Sequence, residues 1–195
     1  NFLYALRFIF DKEIRKQIIV TMRKIILMAM LVVLSFPAFA GTKMVFGTID
    51  QLKGEKNIPV ILNWKEAVYA KGGDLDDFLL KAERNNDWES QSLSYFIREV
   101  NEKVGEYGVR VVAPEKADNA KYRIEIVTQT ISKGGDITGE ILLLPAEGND
   151  PIASISFSSD ESDDNDKIAF RDQLQSIGES FGKLLKKQIK QADKK

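Results

Sequence analysis

The 195-residue chain contains no cysteine and no histidine. The first absence removes disulfide staples and thiolate nucleophiles. The second removes the imidazole base of Ser-His-Asp and Cys-His systems, and with both missing, ordinary zinc coordination has no ligands. Carboxylate chemistry, a lysine or tyrosine base, and oxygen-ligated ions are what remains. Nucleophile elbows, glycine-rich phosphate loops and metal-ligand spacings are also lacking, as are repeats and interdomain linkers. The residues therefore name no cofactor, no metal and no catalytic group.

The longest apolar run lies in "MRKIILMAMLVVLSFPAFAGT", which begins at Met22. Its uninterrupted core, 25–34, is ten residues long, whereas a helix crossing the hydrocarbon layer needs about 20. Arg23 and Lys24 precede it, and Ser35 and Pro37 break it. Ala38 and Ala40 then put small residues at the two positions that a leader peptidase reads before Gly41. The pattern predicts a secretory signal peptide over 22–40 and a periplasmic or secreted product. No cysteine follows the cleavage site, so a lipid anchor of the lipoprotein type is not expected. Residues 1–21 read as an upstream extension outside the mature protein. The remainder, 41–195, is expected to form a single domain without a stable transmembrane segment.

Excess positive charge is lacking as well. Of 28 basic and 29 acidic side chains, the first forty residues hold six and two, which leaves 22 against 27 and a net charge of −5. A mildly acidic domain without a basic block does not suit nucleic acid. A chain of 155 residues buries about 70% of its unfolded surface, enough for a core without disulfides or metal.

Hydrophobic periodicity then sets the layout. Ile58, Val60, Leu62 and Trp64 alternate in "NIPVILNW", which predicts a strand, with Val45 and Phe46 in a short strand before it. "DLDDFLLKAE" opens a short helix with acids at its N-terminus. Leu93, Phe96, Val100 and Val104 recur at helical spacing, and Gly105 and Gly108 stop that helix before the strand "VRVVAP". Tyr122, Ile124 and Ile126 begin a meander of three strands, whose short turns "SKGGD" and "AEGNDP" impose antiparallel neighbours. Phe170, Leu174, Ile177, Phe181 and Leu184 form the stripe of a closing helix. The fold class expected is α+β: a two-layer sandwich in which two long helices pack on one face of a mostly antiparallel sheet. The other face would carry Arg123, Glu125 and Gln129 outward, a candidate interaction face.

Three further features have a plain reading beside a functional one. "SSDESDDNDK" crowds five acids into one loop, but lacks the alternate carboxylates and central glycine of a calcium loop and reads as a solvated cap on the last helix. Trp64 suits a sugar-binding aromatic, yet its phase with Ile58, Val60 and Leu62 places it in the core, while Trp88 is less defined. Lys183, Lys186, Lys187, Lys190, Lys194 and Lys195 suit anionic lipid or lipopolysaccharide, although cations also belong at a helix C-terminus.

With a signal peptide, a Trp-bearing strand, "DDFLLKAERNNDWESQSLSYFIREVNEKVGEYGVRVV", a meander and a lysine-rich closing helix in that order, the chain resembles exported Bacteroidetes-type domains of unknown function. More remotely, the layout resembles the small α/β domains of envelope lipoproteins of the curli-secretion CsgG type. The resemblance implies a domain that works by association and brings no catalytic residue. Two functions follow. The first is a non-enzymatic exported domain that binds another cell-envelope component, a protein or a glycan. The alternative is a histidine-free hydrolase of polysaccharide or peptidoglycan, with one carboxylate from Glu66 or Asp74 and another from the 160–166 loop.

Overall fold

The structure, a computed structural model, describes residues 41–65, 67–69, 88–132, 136–159 and 166–194. Within them the order is β1 (Gly41–Phe46), β2 (Ile58–Asn63), β3 (Val68–Tyr69), α1 (Trp88–Val104), β4 (Val111–Val112), β5 (Tyr122–Ile131), β6 (Ile137–Pro145), β7 (Ala153–Ser158) and α2 (Asp166–Ala192). The short helix expected from "DLDDFLLKAE" lies outside the described residues.

The three-strand meander forms as its turns require, with β5–β6 and β6–β7 both antiparallel. Ile124 stands opposite Leu143, and Ile141 opposite Ile155, so one side of all three strands is apolar. The full sheet runs β1-β7-β6-β5-β2-β4, and β3 also pairs with β5. The longer ladders are antiparallel, but β2 lies parallel to both β5 and β4. The connection from β2 to β4 passes through α1, and a crossover of that length returns the chain in the same direction. Strand β1 is longer than its sequence suggests and sits at the far edge, antiparallel to β7, with Lys43 opposite Ser156. Gly47 turns the chain away from this edge at φ +75, where a Cβ would lie 2.2 Å from the Ile152 carbonyl oxygen. Glycine is the residue that fits there.

Both helices lie on the apolar side of the sheet, and Leu93, Phe96, Val100, Val104, Phe170, Leu174, Ile177 and Phe181 are all buried, as their spacing predicts. Toward the end of α2 the stripe shifts from Leu184, which is half-buried, to the fully buried Leu185 and Ile189. A pattern read at 3.5 residues per repeat drifts about 20° per heptad on a real helix. The helices run in the same direction, since Tyr95 neighbours Arg171 and Val100 neighbours Gly182. Their close approach rests on Gly178 and Gly182: a Cβ at Gly178 would come within 2.8 Å of the Phe96 carbonyl oxygen, and one at Gly182 within 2.9 Å of the Lys103 side chain. Phe96 and Phe181 stack beneath this seam with centroids 6.0 Å apart.

Candidate functional site

The period-2 alternation that buries Ile124 and Ile126 turns Arg123, Glu125 and Gln129 to the opposite side of the sheet, where each is half-buried. The expected placement is therefore met, but all three side chains already hold partners. Arg123 spans the turn between β6 and β7: its Nη1 donates to the carbonyls of Pro145 at 2.6 Å and Ala146 at 3.0 Å. Its Nη2 donates to the Gly148 carbonyl at 2.8 Å and to Asn149 Oδ1 at 3.1 Å. A guanidinium with four acceptors on one turn is a fastener. Glu125 accepts from Asn63 Nδ2 at 2.6 Å, and Gln129 donates to Glu140 at 3.3 Å. Glu140 also accepts from the Ser154 hydroxyl at 2.7 Å.

Between these polar groups lie apolar ones that the alternation alone did not single out. The register sets Phe46 opposite Ser154, Ser154 opposite Leu142, Leu142 opposite Glu125, and Glu125 opposite Ile61. This row crosses five strands on the side away from the helices. At its β1 end Phe46 is 48% exposed, and Ile152, just before β7, is 37% exposed. Val45, 58% exposed, precedes Phe46 in the same edge strand, at the bulge.

The two edges of the sheet differ. At the β4 edge, Asn101 of α1 closes the backbone: its Nδ2 donates to the Val111 carbonyl and its Oδ1 accepts from the Val111 N–H, both at 2.9 Å. The side-chain amide takes the place of a neighbouring strand. At the other edge, β1 pairs with β7, and no second strand pairs with it among the described residues. A bulge between Met44 and Phe46 and the charged Lys43 are the usual moderators of such an edge.

The remaining features of the sequence fall elsewhere. Trp64 is buried and meets Phe170 edge-on at 5.3 Å, a core residue as its phase indicates. The Trp88 side chain, Glu66, Asp74 and the acids at 160–165 lie outside the described residues. Among the described residues no group of three potential metal-binding side chains occurs, and no helix is long and apolar enough to cross a membrane. The lysines of α2 stand on its outer side. Lys183 reaches Glu179 at 3.0 Å and Lys186 reaches Glu106 at 2.7 Å. Hydrogen bonds from Lys183 and then Lys103 hold the Glu179 carboxyl below the usual carboxylate range, and the Lys186 bond does the same for Glu106.

No protein family matches the chain, and no curated protein does. Among solved structures, the chain is similar to the PelC dodecamer from Paraburkholderia phytofirmans, at 12% identity and a TM-score of 0.38, over 74% of this chain and 94% of that one. A single-substitution variant of the same dodecamer gives the same identity and score over 95% of its length. Likeness at this level carries no functional weight.

Proposed function

We propose that this chain is an exported, non-catalytic domain that binds another component of the cell envelope through the β1 edge and the adjoining open face of its sheet. The observation that carries the reading is the difference between the two edges. Asn101 occupies the backbone groups of β4, whereas β1 offers an edge flanked by exposed Val45 and Phe46. An extended segment of a partner protein can add to such an edge, taking affinity from main-chain hydrogen bonds and selectivity from the side chains beside it. The leader-like segment before Gly41 supports the compartment, and the absence of histidine and cysteine supports a role without nucleophilic catalysis.

The test is site-specific photocrosslinking in envelope preparations of the source cell, with a photoreactive phenylalanine at position 46 and, separately, at Lys116. A defined adduct from position 46 that is absent from position 116, and that is lost when Val45→Asp is added, is the expected result. Equal labelling at both positions, or none at 46, overturns the edge as the binding element.

A further inference from the structure

The outer side of α2 carries a feature that the sheet-edge reading does not use. Lys183, Lys187, Lys190 and Lys194 follow one another at intervals of four, three and four residues, which places them on a single helical face. The backbone keeps turning past Ala192, with the Lys194 N–H reaching the Gln191 carbonyl at 3.3 Å, so the row continues beyond the helix. At 1.5 Å per residue it is about 16 Å long, with successive lysines rooted about 4.5 to 6 Å apart along the axis. Lys186 and Gln191 flank it and complete a shallow surface depression of about 380 Å³.

Two simple explanations account for part of this row. Lys183 and Lys186 balance Glu179 and Glu106. Lys190 and Lys194 offset the partial negative charge of the helix end, an effect confined to the last turn. Lys187 stands before that turn, and Lys187, Lys190 and Lys194 are all exposed with no ion pair among the described residues. Lys53 uses the one carboxylate in the final turn, that of Asp193. A positive row of this kind on a domain with a net charge of −5 is a local arrangement and not a consequence of composition.

We infer that the Lys183–Lys194 row is a binding surface for a linear anionic polymer, a glycan bearing about one carboxylate per sugar, laid along the axis of α2. Charge complementarity and spacing select the class. A flat anionic surface is disfavoured by neighbouring acids: α1, which lies alongside, exposes Glu102, and the turn just after it exposes Glu106, the partner of Lys186. A plane touching both helices brings its charges against those carboxylates, whereas a single chain laid over Lys187, Lys190 and Lys194 follows side chains that form no ion pair with either. Attraction of this type works through counterion release, so it weakens steeply as salt is added.

Polygalacturonate is the probe, titrated at low and physiological salt against the purified chain. Tight binding at low salt is expected, with at least a tenfold loss for Lys187→Glu/Lys190→Glu and little change for Lys65→Glu/Lys116→Glu, which alters the net charge equally at other sites. Circular dichroism confirms that each double variant keeps its fold. Equal losses in both double variants, or no binding by the original chain, overturn the inference. Tighter capture by phosphatidylglycerol vesicles than by the polymer also overturns it, in favour of a lipid surface. Each outcome is independent of the crosslinks from position 46.

Discussion

The two faces of one sheet are made by the same strands and obey opposite rules. On the helix side, Ile124, Ile126, Ile141 and Ile155 are fully buried against α1 and α2, and their contribution is to stability. On the open side, their immediate neighbours Arg123, Glu125, Glu140 and Leu142 are half-buried, and the polar ones are satisfied by each other or by turns. The helix side even contains a defect that the open side avoids. Gln173 of α2 is completely buried, and neither side-chain amide atom makes a hydrogen bond among the described residues. Apolar groups on the open side, Phe46 above all, lie outside the core cluster.

Adjacent residues of β5 give the sharpest contrast. Truncating Ile126 to alanine should cost about 2 to 4 kcal/mol, whereas Val127→Ala, one residue along and half-buried on the open side, should cost under about 1 kcal/mol. Urea denaturation of both variants checks this, and similar losses break the comparison. Next in size, Gln173→Met should stabilise by about 1 kcal/mol, because it removes an unsatisfied buried amide at nearly constant volume. A lower midpoint in thermal denaturation would mean that the amide has a role in the native core.

The smallest effect concerns Glu179, which joins α2 to α1 through Lys103 at 3.2 Å and pairs with Lys183 of its own helix at 3.0 Å. Its carboxyl titrates below the usual range, so its contribution is present above the unfolded pKa and is lost as pH falls through the folded one. Glu179→Gln should cost a few tenths of a kcal/mol at neutral pH, as exposed pairs do. The difference from the original chain should vanish in acid. A constant difference across pH would place the effect in packing.

Much of the covered side was legible in the sequence, since burial on one face imposes period 2 on β5 and a helical stripe on α1 and α2. Trp64 was legible for the same reason, because its phase with Val60 fixed its side. Pairing was harder: alternation says which way a side chain points but not which strand lies beside it, so the parallel neighbours of β2 and the distant site of β1 were not visible. Gly178 and Gly182 carry only a helix-propensity penalty when read alone, and their use as a seam depends on the second helix. The same limit applies to the candidate face. Arg123 was placed on the correct side, but its engagement with the 145–149 turn, and the closure of β4 by Asn101, are tertiary contacts with no local signature.

The position of β1 has a consequence for how the protein is made. Its first residues find their partner only in β7, with Lys43 and Ser156 separated by 113 positions. Such a long-range pairing raises the contact order, which slows folding. During synthesis the sheet stays incomplete until almost the whole domain has emerged, so the chain spends that interval without the β1 edge of its native sheet.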